Sequence, residues 1–347
     1  MNSRSISGPR LLVMCTLSTG FDAIAEVLRH GFKVEAIVGV DPSVANKDDI
    51  SGFADVSVFA AKWGLRYLYV QSYSLRNNED RTRLSKLSFD LIWVHGWQRL
   101  IPQWLIEMAA LGAVGGHGSP DGIQRGRGRS PQNWAIMLGC KRFDLALFRI
   151  TPGVDDGPIV LERSFYYNDF DDIRISYKKA SLCMAEMMIE LLKNPDLLQQ
   201  ARPQRGEAFY FPQRKPEDGI ADWSLTVGEV WAHCRALTRP YPGLRTRTEH
   251  GSEIIIWECF PFDDRVDREP GIISFVFEDG TFLVTCSDGR ILITDYSFQK
   301  EEETVQPGQR LVSQDFAVTL RKIVDNHCNR NPDKPLSFRI MTKLKRA

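Results

Sequence analysis

The sequence predicts an α/β protein in which a doubly wound, mostly parallel Rossmann-like sheet is followed by a smaller C-terminal β-barrel. In the first half, short apolar runs alternate with segments of helical periodicity, an order typical of parallel sheets covered by helices. A polar stretch with three prolines, from Ala201 to Asp218, interrupts this order. Beyond it, short strands are separated by turns such as Glu278-Asp279-Gly280, as expected in a barrel.

The first half predicts strand–helix units in regular succession. The predicted strands are 11–15, 34–40, 65–70, 91–94, 113–114, 144–150 and 159–164. The predicted helices are 21–29, 56–63, 103–109, 129–138 and 171–193. Because right-handed crossovers bring the carboxyl ends of parallel strands to one edge, residues 18–20 and 95–97 are expected at the ligand-binding edge of the sheet.

A length of 347 residues suits two domains better than one. We expect residues 1–200 to form the α/β domain and residues 201–218 to form a linker. Residues 219–300 are predicted to form the barrel, with a helix at 227–236 and strands at 253–257, 271–277, 281–286 and 290–294. The polar, charged segment 301–347 is expected to be peripheral.

The charge balance bears on the partner class. Lys and Arg total 44, as do Asp and Glu, so the formal net charge is zero. Proteins that bind a polyphosphate backbone usually carry a basic excess. Neutrality therefore disfavours nucleic acid as a partner and favours a small-molecule substrate.

The cysteine pattern and the N-terminus bear on the compartment. The seven cysteines are scattered without a Cys-x-x-Cys pair, which indicates reduced thiols rather than a disulfide framework or a zinc site. The N-terminal residues lack an apolar signal core, and no apolar run is long enough to span a membrane. We expect a soluble, cytoplasmic protein without a metal site, and its assembly state, a homodimer included, stays open.

Two glycine-rich segments carry a candidate acid/base pair. His117 lies in Gly115-Gly116-His117-Gly118-Ser119, and Asp155 lies in Val154-Asp155-Asp156-Gly157-Pro158. An imidazole can take a proton near neutral pH, and a carboxylate beside it can orient the ring and stabilise the imidazolium. The alternatives are a loop histidine that caps backbone groups and an ordinary turn aspartate, with Asp156 as the competing carboxylate.

These segments, with Arg127-Gly128-Arg129-Ser130-Pro131-Gln132-Asn133-Trp134-Ala135-Ile136 between them, resemble the active-site region of the folate-dependent formyltransferases, nearest to the sugar N-formyltransferases. That family's pattern is Asn-x-His-x-Ser, then Arg-Gly-x-x-Pro-x-x-Trp-Ala-Ile, then Asp-x-Gly-x-Ile. The segments 93–102 and 218–243 are similar to two further landmarks, so the resemblance covers residues 10–296. It implies a formyltransferase-type α/β domain, an OB-like barrel, and His117 and Asp155 as catalytic residues.

The resemblance implies N10-formyltetrahydrofolate as the cofactor, seated on the loop after the 91–94 strand and on the Asp155 turn. The residues that would bind it are Trp97, Gln98, Arg99, Leu100, Thr151, Pro152, Gly153 and Asp156. A flat heterocycle suits an aromatic and aliphatic slot with main-chain hydrogen bonds. Core packing is the alternative explanation for Trp97.

Gly115 departs from the family pattern, in which an asparagine amide at this position donates to the developing oxyanion. Three interpretations stay open. A neighbour such as Gln124, Arg125 or Asn133 replaces the amide; or Gly115 and Gly116 clear volume for a larger acyl group carried by an acyl-coenzyme A; or the protein binds its ligands without catalysis. Loss of one such donor typically costs about 10²–10³ in rate.

The expected substrate-binding residues are Ser18, Thr19, Gly20, Gly115, Gly116, Gln124, Arg125 and Arg127. The first three lie on a strand-to-helix turn that could hold a phosphate at the helix N-terminus. The arginines, with Arg129, form a basic cluster that contacts a phosphorylated ligand or is simply solvated. The resulting hypothesis is formyl transfer to the amine of a nucleotide-linked amino sugar, with methionyl-tRNA a less favoured acceptor.

Overall fold

The computed structural model describes residues 8–47, 50, 52–299 and 304–346, and the chain divides into two compact units. The N-terminal unit comprises residues up to 127 together with 144–165 and 177–207. The C-terminal unit comprises 128–143, 166–176 and residues from 208 onward.

The secondary structure follows the predicted order. The strands are β1 Leu11–Met14, β2 Val34–Val40, β3 Tyr67–Val70, β4 Leu91–Val94, β5 Ala113–Ser119, β6 Arg127–Gly128, β7 Arg142–Arg149, β8 Ile159–Tyr166, β9 Tyr210–Phe211, β10 Leu244–Arg247, β11 Glu253–Asp263, β12 Ile273–Val276, β13 Phe282–Thr285 and β14 Arg290–Phe298. The helices are α1 Ser18–Arg29, α2 Pro42–Lys47, α3 Val56–Trp63, α4 Asn78–Leu84, α5 Gln103–Glu107, α6 Pro131–Met137, α7 Ile173–Lys193, α8 Val227–Leu237, α9 Phe316–Arg330 and α10 Phe338–Arg346.

The N-terminal unit is built on a mixed sheet with the strand order β3-β2-β1-β4-β5-β7-β8. β1 pairs in parallel with both β2 and β4, and β4 pairs in parallel with β5. β7 runs antiparallel to β5. The chain reverses its direction of travel across the sheet between β1 and β4, and in such folds this is where a ligand-binding crevice opens. The predicted fold class is confirmed.

Burial explains why these strands have nearly continuous apolar sequences. All four residues of β1, Leu11–Met14, are fully buried, as are Ile92 and Trp93 of β4. A strand covered by helices on both faces has no solvent side on which to alternate polar residues. Helix α3 has local signals as well: the Asp55 carboxylate accepts from the Ser57 N–H at 2.9 Å, and Gly64 follows the helix at φ 62°.

The C-terminal unit contains an antiparallel sheet with the order β10-β11-β14-β13-β12. The segment 308–312 joins its two edges. The Val312 N–H donates to Arg247 O at 2.7 Å on the β10 side, and the Leu311 N–H donates to Gly271 O at 2.8 Å on the β12 side. We call 308–312 the closing segment, because it completes the predicted barrel.

The final segment is less peripheral than expected. In α9, Leu320, Ile323 and Val324 are buried, and in α10 Ile340 is fully buried. The Phe316 N–H at the start of α9 donates to the Asp222 carboxylate at 2.7 Å. The polar composition misled the prediction because one apolar stripe per helix is enough to pack it.

The predicted contiguous boundary at residue 200 does not match the observed division. Residues 128–143, which contain α6, group with the C-terminal unit. There the Trp134 ring N–H donates to Pro212 O at 2.9 Å, and the Asn133 amide donates to Ala236 O at 2.6 Å. The two buried hydrogen bonds join residues that are 78 and 103 positions apart in sequence, so a composition pattern cannot reveal them.

The cysteines are free thiols, five of them buried, with Cys183 half-buried and Cys328 exposed. Across the described ranges no helix is both long and apolar enough to cross a membrane.

Two histidines, His95 half-buried and His233 buried, make stability sensitive to acid. Burial lowers the pKa of His95 from its ordinary 6.5 to about 4. Burial, with Arg214 and Lys343 adding to it, lowers the pKa of His233 to about 3. As the pH falls, the two histidines therefore take up protons in the unfolded chain before they do so in the folded chain. Their contribution to the free energy of unfolding is complete above about pH 6.5 and is lost as the pH falls toward 4.

We expect the free energy of unfolding to decrease steadily from pH 6.5 to 4 in denaturant titrations. The slope of the unfolding free energy against pH should be smaller in His95→Gln and in His233→Gln, in each case by the equivalent of up to about one bound proton. His250→Gln is the control, because His250 lies exposed in a turn. Equal slopes in all four proteins would contradict the assignment.

Candidate active site

His117 lies inside strand β5 rather than on the predicted turn. Its backbone is paired with Ala146 of the antiparallel neighbour β7. Pairing with β7 extends β5 to Ser119, whereas the sequence predicts a strand only at its first two residues, 113 and 114. A strand holds a catalytic side chain more rigidly than a loop does.

The structure brings His117 and Asp155 together. Nδ1 of His117 lies 3.6 Å from Oδ2 of Asp155, and the two side chains are 12% and 27% exposed. This separation is an ion-pair distance, longer than a hydrogen bond, as is common before substrate binds. Nε2 lies 2.8 Å from the carbonyl oxygen of Gly126. Since a carbonyl can only accept, the pattern assigns a proton to Nε2 and leaves Nδ1 with a lone pair that can accept one.

Asp155 occupies a strained turn. Its backbone is in the left-handed region, with φ 50°, a conformation that non-glycine residues rarely adopt and that clusters at functional sites. The carboxylate of the competing residue, Asp156, instead accepts from the Thr151 hydroxyl inside the turn. The two neighbouring carboxylates thus have different surroundings, and Asp155 is the one that faces His117.

Neighbouring apolar side chains fill the space beside Gly115 and Gly116. A Cβ on Gly115 would lie 2.6 Å from Cδ1 of Ile150, and a Cβ on Gly116 would lie 2.1 Å from Cε of Met184. The interpretation that this glycine pair clears volume for a larger acyl group is therefore without support. The sequence contains no signal that Ile150 and Met184 occupy this position.

The three candidates for a replacement amide have other surroundings. The Gln124 side-chain amide donates to the carbonyl of Arg205 and accepts from its N–H at 3.1 Å. Asn133 belongs to the C-terminal unit, where its amide donates to Ala236 O. Arg125 is exposed. The side-chain amides of Gln124 and Asn133 are therefore already hydrogen-bonded to other backbone groups.

We expect Gly115→Asn not to increase the rate of formyl transfer, because the new side chain and Ile150 would compete for one space. Assays of the single variant and of Gly115→Asn combined with Ile150→Val, which removes the colliding methyl group, separate sterics from chemistry. A gain of about 10²–10³-fold in the single variant would contradict the prediction. If only the double variant gains activity, the collision with Ile150 explains why the single variant does not.

The loop after β4 carries the predicted folate-binding residues. β4 ends at Val94, which pairs with Gly115, so this loop leaves the sheet next to the His117 part of β5. Trp97 is 8% exposed and packs edge-on against Tyr73, with ring centroids 4.8 Å apart. Arg99 and Leu100 are exposed.

Tyr73, which the sequence analysis missed, holds this loop. The Gln98 N–H donates to the Tyr73 hydroxyl at 2.7 Å. The Thr16 hydroxyl donates to Gly96 O at 2.8 Å, so the Tyr73 hydroxyl donates to Thr16 at 3.2 Å. Burial raises the pKa of Tyr73 and keeps this donor protonated. No local motif marks Tyr73, because its partners are 57 and 25 residues away.

The remaining predicted residues lie at the start of α1, on the Asp155 turn and in the loop after β5. Ser18 is exposed, Gly20 is buried, and the Thr19 carbonyl accepts from the Ser181 hydroxyl at 3.1 Å. Pro152 and Gly153 lie between Thr151 and Asp156 on the turn. Arg127 is buried, with 9% exposed, and donates to the Gln204 side chain at 2.7 Å.

The chain is similar in sequence to known proteins. Residues 214–311 match the model of the formyl transferase C-terminal domain. The chain is 27% identical over 256 residues to the bifunctional polymyxin resistance protein ArnA of Wigglesworthia glossinidia brevipalpis, covering 72% of this chain and 37% of that protein. It is 26% identical over 318 residues to the methionyl-tRNA formyltransferase of Geobacter metallireducens, covering 91% of this chain and 97% of that enzyme.

Solved structures share the fold. HypX from Aquifex aeolicus in complex with tetrahydrofolic acid has a TM-score of 0.60 at 20% identity, over 87% of this chain and 46% of HypX. An N-formyltransferase from Helicobacter canadensis, in complex with folinic acid and dTDP-3-aminofucose, has a TM-score of 0.54 at 12% identity, over 83% of this chain and 99% of that enzyme. The chain thus spans about a third of ArnA and half of HypX, but nearly all of the single-function enzymes.

Together with the order of the motifs, these matches support the predicted resemblance to the folate-dependent formyltransferases, and residues 214–311 are identified as a formyl transferase C-terminal domain.

The residues of the β4 loop are compatible with a bound folate. The ring nitrogens His95 Nε2 and Trp97 Nε1 are both buried without a hydrogen-bond partner in the described part of the chain. Buried polar atoms are normally paired, so unpaired ones in this loop suit a ligand or water that completes them. The lowered pKa of His95 keeps its ring neutral, and a neutral ring can accept as well as donate.

Proposed function

We propose that the protein transfers a formyl group from N10-formyltetrahydrofolate to a primary amine, with His117 as the general base. The observation that carries the proposal is the approach of His117 Nδ1 to Asp155 Oδ2, at 3.6 Å in a partly open position. The resemblance to the folate-dependent formyltransferases supports the reaction class, and the pair would supply the proton-transfer groups that the reaction requires.

Bound formyltetrahydrofolate would supply the activated formyl carbon. As the acceptor nitrogen bonds to that carbon, His117 Nδ1 takes the proton that the nitrogen releases. The resulting imidazolium faces the Asp155 carboxylate, which stabilises it, while the Nε2–H bond to Gly126 O fixes the plane of the ring. His117 would then return its proton to the folate nitrogen that leaves as the formyl carbon passes to the amine.

The acceptor that we favour is an amino sugar linked to a nucleotide. The zero net charge supports it over a polyanionic tRNA, and the Helicobacter canadensis enzyme, which shares the fold, was solved with such a sugar. Methionyl-tRNA is the second candidate, because the match to the Geobacter enzyme extends over nearly the whole of both chains.

An acyl-coenzyme A donor is less favoured, because Ile150 and Met184 occupy the volume beside the two glycines. The non-catalytic interpretation predicts binding without turnover. One experiment can test these alternatives if the acyl donor and the acceptor are varied independently.

The test is to incubate the purified protein with N10-formyltetrahydrofolate or acetyl-coenzyme A, in each case with an amino-sugar nucleotide or with methionyl-tRNA. Product masses are then measured. We expect the mass gain of one formyl group on the sugar nucleotide. A formylated tRNA would move the proposal to the second acceptor, and a heavier acyl product would reject the folate donor. Binding of folate without any product would reject catalysis.

A further inference from the structure

The side-chain amide of Gln204 links the two segments that hold His117 and Asp155. Its Nε2 donates to the carbonyl of Asp155 at 2.8 Å and to that of Gly157 at 2.9 Å. Its Oε1 accepts from Nη2 of Arg127 at 2.7 Å. Both amide hydrogens and the oxygen are therefore engaged, and a flipped amide would place its NH₂ against the guanidinium.

The strained turn at Asp155 depends on supporting hydrogen bonds such as those from Gln204. The left-handed backbone of Asp155 costs free energy, and such a conformation persists only when its surroundings hold it. Gln204 bonds to the carbonyl of the strained residue itself and to that of Gly157, two residues further on. These bonds set the direction in which the Asp155 side chain leaves the backbone, and hence its distance from His117.

The other end of the amide acts on the histidine side of the site. Arg127 directly follows Gly126, whose carbonyl accepts from His117 Nε2. The Arg127 side chain is only 9% exposed and, within the described residues, forms no ion pair with a carboxylate. The neutral Gln204 oxygen is thus its hydrogen-bond acceptor, so loss of Gln204 frees both the arginine and the peptide that precedes it.

We propose that Gln204 is a positioning residue for the proton-transfer pair, and that it acts by tying the Gly126–Arg127 segment to the Asp155–Gly157 turn. This inference rests on the proposed function. Gln204 does not touch the reacting atoms; it fixes the relative placement of the imidazole and the carboxylate. A misplacement of about 1 Å in such a pair can cost about 10²-fold in rate.

The decisive variant is Gln204→Met, which keeps the length of the side chain and removes its hydrogen bonds. We expect kcat to fall by about 10–100-fold while KM for both substrates changes by less than about twofold. Gln200→Met is the matched control, because Gln200 is an exposed glutamine of the same segment, and it should keep wild-type kinetics. A kcat within about twofold of wild type in Gln204→Met would overturn the inference.

A double-mutant cycle distinguishes positioning from a general structural role. If Gln204 acts on the geometry of the His117–Asp155 pair, Gln204→Met should cost much less kcat in an Asp155→Asn background than in the wild-type protein. Full additivity of the two losses would instead mean that Gln204 acts elsewhere, and would reject the proposal.

Hydrogen exchange separates this inference from the proposed function. Exchange of amides 151–158, followed by mass spectrometry, should become faster in Gln204→Met and stay unchanged in Gln200→Met. If the wild-type protein transfers no formyl group to any acceptor, the proposed function fails, and this exchange alone decides the inference. Faster exchange would then support the tie between Gln204 and the turn, and unchanged exchange would overturn it.

Discussion

The His117→Asn variant is expected to transfer formyl groups about 10²–10⁴ times more slowly than the wild-type protein, measured as kcat with both substrates saturating. The substitution removes the proton acceptor but keeps a side-chain amide on β5. Thermal unfolding should change little, because within the described residues the imidazole makes a single hydrogen bond, to Gly126 O at 2.8 Å, and approaches Asp155 only to 3.6 Å.

His327→Asn provides a matched control. The His327 ring also makes a 2.8 Å hydrogen bond to a backbone carbonyl, that of Lys334, but it lies in α9 of the C-terminal unit. Its substitution should leave kcat within about twofold of wild type. Equal losses in both variants would show that the effect comes from folding and would remove His117 from the proposed chemistry.

The Gly157→Ala variant is expected to lose about 10²-fold in kcat and about 1–3 kcal/mol in stability. An added Cβ would lie 1.7 Å from the carbonyl oxygen of Arg149, and this backbone atom cannot move aside as a flexible side chain could. Arg149 is the last residue of β7, and its N–H is bonded to Pro158 O at 2.9 Å. The turn must therefore shift, and Asp155 shifts with it.

Gly228→Ala is the comparison for this variant, since Gly228 lies in α8 and the added carbon would meet no described atom within 4 Å beyond its chain neighbours and the backbone of its own helix. It should be as stable as wild type or more stable by about 0.5–1 kcal/mol, with unchanged kcat. Denaturant unfolding and steady-state assays of both alanine variants test the pair. Wild-type activity in Gly157→Ala would mean that the turn does not place the catalytic carboxylate.

The periodic parts of the fold were predictable from the sequence. Strands β2 and β4 and helix α3 have the predicted bounds, because buried parallel strands and capped amphipathic helices carry local signals. The strand around His117 was underestimated. Its glycines give no apolar pattern, and its length comes from pairing with β7, which a local reading cannot detect.

The candidate site was predictable only where a motif carried it. Motif order pointed to His117 and Asp155, and the structure brings the two side chains together. Tyr73 and Gln204 were missed because each acts through partners far away in sequence. Gln204 also lies in a stretch whose proline and polar content predicted a linker, and such a composition says nothing about the contacts of a single half-buried amide.

The Gly115 question shows a further limit of motif reasoning. A missing side chain suggested open volume, but the volume is occupied by Ile150, whose packing is a tertiary property. The family resemblance therefore identified the departure correctly, whereas the meaning of that departure required coordinates.

The closing segment has a consequence for how much of this chain can be removed. Residues 308–312 satisfy backbone groups on both the β10 and the β12 sides of the sheet. A chain that stopped before Gly308 would expose two strand edges whose amides and carbonyls lack partners, and such edges recruit strands from other molecules. The tail beyond the last strand thus protects the barrel against aggregation, and a soluble truncated form would have to retain it.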